Sequence, residues 1–312
     1  MYLVNTTYGW NLGDDLIREG VFNLLGLSGE PTVYVNRAQV RRGGSKTPLW
    51  KVLANMPPPD ELCRNAKGFV VAGTPEWVNY AQEFYKACLR RGVPIYLVGV
   101  GMTEDHKLLA QCRPLIKGAT VRDRFAKSAL LKAGISAPWF PDPAFHADFP
   151  QPPEKKFSLV VNYRAKGGNG AFKDDHDGYW RRVAREFGRD IGIVTVHEAG
   201  EYERAAAIFD APIFYSSNYL DYKPIYASAA RYLGGRIHGA VPVVASGGTA
   251  WLVYRAKKVD AMRQVAKLGE TLRVLSYREF PDSLDRRSPD SMLRELEARR
   301  VQHRAYWAEC RG

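Results

Sequence analysis

At 312 residues the chain exceeds what one small hydrophobic core organises, so two domains or one large α/β unit are expected. A net charge of +12 and a pI near 9.5 favour anionic partners: phosphorylated metabolites, lipid diphosphates, acidic glycans, membrane surfaces or nucleic acid. Four scattered cysteines (Cys63, Cys88, Cys112, Cys310) without a C-x-x-C exclude a zinc ribbon and fit free thiols in a reducing cytosol, and no run reaches the ~18 apolar residues of a membrane span.

In chain order, Tyr2-Leu3-Val4 reads as a short strand, with no basic-then-apolar leader at the N-terminus. Leu16, Ile17, Val21, Leu24 and Leu25 follow at helical spacing and stop at Gly26. Strands are expected at Thr32–Val35, Gly68–Ala72, Pro94–Val100 and Ala119–Val121. Helices are expected over Val78–Arg91, Lys107–Leu115 and Phe125–Ala133. Residues 36–59 form a basic, proline-rich connection. Six prolines between 138 and 153 mark the best linker.

Beyond the linker the alternation resumes. Strands are expected at Phe157–Asn162, Ile191–Val196, Ile213–Tyr215 and Ala250–Tyr254. Helices are expected at Tyr179–Phe187, Glu201–Phe209 and Pro224–Tyr232. Ser288 and Pro289 suit the N-cap and first position of a long charged helix over 288–310, expected to pack back over the first domain. The fold class is α/β, with two doubly wound parallel-sheet domains over 1–150 and 151–312 facing each other across a cleft, and ligands at the carboxyl ends of the strands.

The residues able to do chemistry fall at those ends. In Leu233-Gly234-Gly235-Arg236-Ile237-His238-Gly239-Ala240, two glycines tolerate positive φ and a helix beginning near Ile237 offers free N–H groups. Arg236 can fork onto a phosphate or carboxylate, and His238 can move a proton near neutral pH. Arg164 follows the strand ending at Asn162, before a Lys166–Gly170 loop able to cover an anion. Lys257 and Lys258 follow the strand ending at Tyr254, where either supplies a point charge. Asn11, Asp14 and Asp15 stand at the first strand-to-helix turn, and Arg122-Asp123 and Asp142-Pro143 at later strand ends. Each of these equally suits a helix cap or a salt bridge. Asp174-Asp175-His176-Asp177 reads as a solvated loop rather than a metal site, since adjacent loop side chains rarely converge on one ion.

Taken in order along almost the whole chain, these pieces resemble the polysaccharide pyruvyl transferase family. Asn11-Leu12-Gly13-Asp14 resembles its N-x-G-D, Val121-Arg122-Asp123 its R-D segment, and Asp142-Pro143-Ala144-Phe145 its D-P-A-F. Arg236-Ile237-His238 resembles its R-[LI]-H, and Tyr254-Arg255-Ala256-Lys257 its Y-x-x-K. The chain departs from the family's usual text at Ala72-Gly73-Thr74, at Ala126 and at Pro242.

The resemblance implies a fold similar to glycosyltransferase-B enzymes and phosphoenolpyruvate as donor. The acceptor would be a sugar hydroxyl pair on a glycan or lipid-linked precursor, and the product a pyruvate ketal in exopolysaccharide synthesis. Donor binding falls to Arg164, Arg236 and Lys257, catalysis to His238 and Arg236, and the acceptor or cleft to Asn11, Asp14, Arg122 and Asp142. No cofactor, metal or nucleic acid is expected, and the work is placed in the cytoplasm with peripheral contact at the inner membrane surface. Two other readings stay open: a nucleotide-sugar-dependent glycosyltransferase of the same fold, and a non-catalytic basic module for acidic glycan or nucleic acid.

Overall fold

The computed structural model describes residues 1–6, 12–36, 57–73, 77–101, 107–151, 154–165, 176–254, 272–276, 281 and 290–311. The chain divides into two compact units. The first comprises Met1–Trp10, Ile17–Ala147 and Val301–Gly312, the second Asn11–Leu16 and Asp148–Arg300. The expected division at 150 and 151 drew two continuous segments. In the structure the first residues of helix Leu12–Leu25 group with the second unit, while the end of the last helix groups with the first, as expected of it.

The first unit is built on strands β1 (Tyr2–Thr6), β2 (Thr32–Asn36), β3 (Gly68–Ala72), β4 (Ile95–Val100) and β5 (Ile116–Val121). They form one parallel sheet in the order β2-β1-β3-β4-β5. Every residue of β3 is buried, as are the last four of β4 and of β5, so these strands read as apolar runs rather than as alternation. That pattern belongs to parallel sheets covered on both faces.

Helices α1 (Leu12–Leu25), α2 (Pro59–Arg64), α3 (Trp77–Arg91), α4 (Lys107–Cys112) and α5 (Arg124–Lys132) alternate with the strands. Phe69 of β3 packs against Phe84 and Tyr85 of α3 at the centre of this core. Helix α2 was not expected. Pro59 stands at its first position, where a missing N–H costs nothing.

The second unit carries β6 (Phe157–Asn162), β7 (Ile191–Thr195), β8 (Ile213–Phe214), β9 (Ala229–Gly234), β10 (Thr249–Tyr254) and β11 (Leu272–Ser276). All neighbouring strands run parallel, in the order β11-β10-β9-β6-β7-β8. Renumbered from β6, this is the 3-2-1-4-5-6 winding, whose direction reverses between β6 and β9. Ligands bind outside the carboxyl ends of strands at such a switch point. Its helices are α6 (His176–Phe187), α7 (Tyr202–Ala206), α8 (Tyr222–Ala227) and α9 (Ile237–Ala245), and α10 (Asp290–Arg311) closes the chain.

Several expectations are corrected. The helix expected over Pro224–Tyr232 ends at Ala227, and β9 begins at Ala229. Pairing with β6 on one side and β10 on the other claims Ala229–Gly234, and a central strand position outweighs local helical periodicity. The helix expected over Glu201–Phe209 is a 3-10 turn, Ala199–Glu201, followed by the short α7. Strand β11 was not expected. Asp177 lies not in a loop but in the first turn of α6, where it accepts hydrogen bonds from Tyr163 and Arg204. Asp174, Asp175, Ser288 and Pro289 lie outside the described residues.

Among the described residues no helix is long and apolar enough to cross a membrane, and no cluster of three His, Cys, Asp or Glu could hold a metal ion.

Candidate active site

The switch point of the second unit gathers the residues singled out in the sequence. Asn162 ends β6 and pairs in register with Gly234 at the end of β9 and with Thr195 at the end of β7. Arg164 follows the first of these ends, Arg236 the second and His197 the third. Three adjacent parallel strands thus deliver an arginine, an arginine and a histidine to one edge of the sheet.

Arg236 is the N-cap residue of α9, in extended conformation. Its carbonyl accepts from Gly239 N at 3.1 Å and from the buried Tyr232 hydroxyl at 2.8 Å, which fixes the helix start. The glycines here serve close approach. Gly234 does not have positive φ. A Cβ on Gly234 would lie 2.6 Å from both Asn162 Cβ and Tyr232 Oη, and one on Gly239 2.5 Å from Tyr232 Oη. The expected role of Gly234 as a left-handed turn is therefore corrected: it makes room for the tyrosine that ties down the Arg236 carbonyl.

The Arg236 guanidinium is itself held. Nη2 donates to Glu201 Oε1 at 2.9 Å and Oε2 at 3.0 Å, and to Glu198 Oε1 at 3.2 Å. Its Nε has no hydrogen-bond partner among the described residues, nor does Nε of Arg164. Both are groups that an anion could satisfy.

Beneath them lies a buried polar network that sequence reasoning missed. His197 meets the Tyr226 hydroxyl at 2.8 Å, Tyr226 meets Thr195 Oγ1 at 2.9 Å, and Asn162 Nδ2 donates to Thr195 O and Oγ1, both at 3.2 Å. Burial drives the proton affinity of His197 well below the usual histidine range, and the neighbouring Arg236, His238 and Arg164 lower it further, in that order. The three residues chosen from sequence thus bear electrostatically on one buried imidazole, which stays neutral at physiological pH. Burial likewise raises the Tyr226 phenol. His197 carried no local signal in the sequence. Its only cue is its place two residues after an apolar strand.

His238 occupies the second position of α9 and is partly exposed. Gly13, in the first turn of α1, lies directly against it: a Cβ there would stand 2.1 Å from His238 Nδ1. The N-x-G-D and R-[LI]-H motifs are therefore in contact within the second unit. Asp14, beside Gly13, is buried in the same turn. Asn11 and Lys257 lie outside the described residues.

In the first unit, Arg122 and Asp142, placed at strand ends and read as suiting either a ligand site or a salt bridge, face each other as a buried ion pair. Asp142 also caps the 3-10 turn Pro143–His146 through Ala144 N at 2.9 Å, and Asp123 caps α5 through Ala126 N at 2.8 Å. Pro143 fills the space left by two glycines. A Cβ would fall 1.8 Å from its carbonyl oxygen at Gly20 and 2.3 Å from its ring at Gly99, whose φ is +57°. These motifs form a packed hub of the first unit.

A family model described as polysaccharide pyruvyl transferase matches residues 11–250. No curated protein matches the chain in sequence. Among solved structures, the chain is similar to an S. aureus MnaA–UDP co-structure at 13% identity and a TM-score of 0.54, covering 99% of this chain and 91% of that one. It is also similar to UDP-GlcNAc 2-epimerase from Neisseria meningitidis bound to UDP-GlcNAc, at 8% identity and a TM-score of 0.51, covering 99% and 94%. At such identities the likeness speaks for fold alone: two parallel-sheet α/β units, the fold class expected from sequence.

Proposed function

The chain belongs to the polysaccharide pyruvyl transferase family, and from that premise we propose that it transfers pyruvyl from phosphoenolpyruvate to two hydroxyls of a glycan or lipid-linked sugar, forming a ketal. One observation carries this reading: Arg164 and Arg236 follow the ends of adjacent strands β6 and β9 at the switch point of the second sheet, each with its Nε without a hydrogen-bond partner among the described residues. A small donor bearing a phosphate and a carboxylate needs two preorganised cations and a proton carrier, and preorganised charge is where transition states gain most.

In this reading Arg164 and Arg236 hold the two anionic groups, with Lys257 as a further point charge. A proton moved by His238 reaches the methylene carbon, which becomes a methyl group, and positive charge develops on the carbon bearing the phosphate. A sugar hydroxyl attacks that carbon and its proton returns to the imidazole. The C–O bond to phosphate breaks, and the second hydroxyl closes the ketal as its proton leaves with phosphate. The acceptor falls to the N-terminal motif, Asn11 and Asp14, while the Arg122–Asp142 pair holds the loops of the first unit in place. The chemistry needs no metal or organic cofactor. The work belongs in the cytoplasm, with peripheral contact at the inner membrane surface where lipid-linked sugars are presented.

The test is turnover of purified protein with phosphoenolpyruvate and a panel of glycans and lipid-linked sugars. Phosphate release that depends on acceptor, with an acid-labile ketal on the product, is expected. Binding of nucleotide sugars with no response to phosphoenolpyruvate would overturn the reading in favour of glycosyl transfer.

A further inference from the structure

Two carboxylates hold Arg236, and they differ in kind. Glu198 is exposed, its side chain 69% accessible, and it reaches one guanidinium nitrogen at 3.2 Å. Such a pair contributes little and exchanges readily with solvent. Glu201 is buried, its side chain 4% accessible. Its Oε1 accepts from Ala165 N at 3.1 Å and from Arg236 Nη2 at 2.9 Å. Its Oε2 accepts from His197 N and Glu198 N, both at 3.2 Å, and from Arg236 Nη2 at 3.0 Å. One carboxylate thus joins the loops that follow β6, β7 and β9, the three strands at the switch point, and Ala165 is the residue next to Arg164.

We propose that Glu201 is a positioning residue that sets the Arg236 guanidinium and the Arg164–Ala165 turn for an anionic donor, while Glu198 is a displaceable counter-ion that a donor anion replaces. The inference rests on the reading of both arginines as donor ligands. Its physical basis is the division of labour between the carboxylates. Three backbone N–H groups spread the Glu201 charge and hold it in place, so it orients Arg236 through one nitrogen and leaves Nε for a ligand. Glu198 takes one backbone N–H, that of Glu201 in a capping box, against three for Glu201, and its largely exposed side chain gives way at smaller cost.

The experiment compares Glu201→Gln, Glu201→Asp and Glu198→Gln with the wild-type chain in steady-state kinetics with phosphoenolpyruvate, together with amide hydrogen exchange over 163–165 and 196–201. A glutamine at 201 keeps one acceptor oxygen, turns an NH2 toward N–H donors and loses the charge. An aspartate keeps the charge but falls a methylene short. Both are expected to raise the donor KM about 10-fold or more and to lower kcat beyond any loss of folded protein, leaving the acceptor KM within about 3-fold, since misplacing a positioned group by about an ångström costs on the order of 10²-fold in rate. Exchange at Ala165, His197 and Glu198 should quicken in both. Glu198→Gln should leave the donor KM unchanged or lower it.

A folded Glu201 variant with wild-type donor KM overturns the proposal. So does a kcat that falls with the folded fraction while KM stays fixed, the signature of a merely structural role. If the wild-type chain shows no saturation by phosphoenolpyruvate, the donor reading fails instead. The exchange data then decide for Glu201 alone, and unchanged protection overturns it.

Discussion

His238 stands at the start of a helix whose first turn is fixed by a tyrosine beneath it and by a glycine pressed against its ring. If it moves the proton in the proposed reaction, His238→Ala should lower kcat by ~10²–10⁴. Donor affinity, measured by calorimetry, should change far less because the arginines remain. Near-native turnover of the purified variant would remove His238 from the chemistry. Gly13 gives a second handle on the same atom. Alanine favours a helix over glycine by about 1 kcal/mol, so Gly13→Ala ought to help α1. Its Cβ, however, would fall 2.1 Å from His238 Nδ1. The imidazole must then shift by about an ångström, which predicts a kcat loss on the order of 10²-fold without a matching fall in melting temperature. Unchanged kcat in Gly13→Ala would show that the ring position is not critical. At this scale the sequence named Arg164, Arg236 and His238, because each follows an apolar run and carries recognisable chemistry. It did not name His197, Glu198 or Glu201, whose roles arise from partners far along the chain: Arg236, 35 to 38 residues on, for the two glutamates, and Tyr226, 29 residues on, for His197.

Strand and helix order was legible wherever apolar runs were long and bounded by glycine or proline, as in Gly68–Ala72 and Ile95–Val100. It failed at α8 and β9, where one residue, Ser228, separates a helix from a strand and the local pattern does not break. Only pairing with β6 and β10 decides that segment. The R-D and D-P-A-F motifs show the same limit in another form. Each was read as a strand end. A salt bridge stood open for each, but that the two pair with each other across 20 residues required the folded first unit. That pair makes a stability prediction. Asp142→Asn keeps an oxygen to cap Ala144 but leaves the Arg122 charge buried and uncompensated. Losing one partner of a buried pair costs about 3–5 kcal/mol, so calorimetry should show a melting transition lower by roughly 10 °C. Adding Arg122→Met should recover part of the loss, since replacing both charges costs less than stranding one. A melting temperature unchanged in Asp142→Asn would mean that the pair contributes nothing net.

Across the whole molecule, doubly wound architecture and the return of the last helix to the first unit were foreseeable, but the grouping of the first helix's N-terminal turn with the second unit was not. Residues 11–16 group with the second unit and 301–312 with the first, because contacts rather than chain order define a unit. The last helix brings His303 into the first unit, where it stacks on Phe140 and meets His146 at 3.1 Å and Thr120 at 3.3 Å. Burial lowers its pKa to about 3, partly opposed by the Asp142 charge. His197 in the second unit is also pushed well below its usual value by burial and neighbouring cations. Each unit therefore holds a histidine that stays neutral when folded, while an unfolded imidazole takes a proton near pH 6.5. The sign follows. Both groups contribute full stability above pH ~6.5, and that contribution is lost progressively as pH falls, for His303 down to about 3, by up to ~1.4 kcal/mol per pH unit for each. Calorimetric scans between pH 7 and pH 5 should show a falling melting temperature for the wild-type chain. His303→Gln, which keeps polar atoms without a titrating group, should melt lower than wild type at pH 7 yet lose less between pH 7 and pH 5. Equal slopes in the two proteins would mean that His303 is already protonated in the folded chain, or that acid unfolding is governed elsewhere, and the assignment of the last helix as an acid-sensitive element of the first unit would fail.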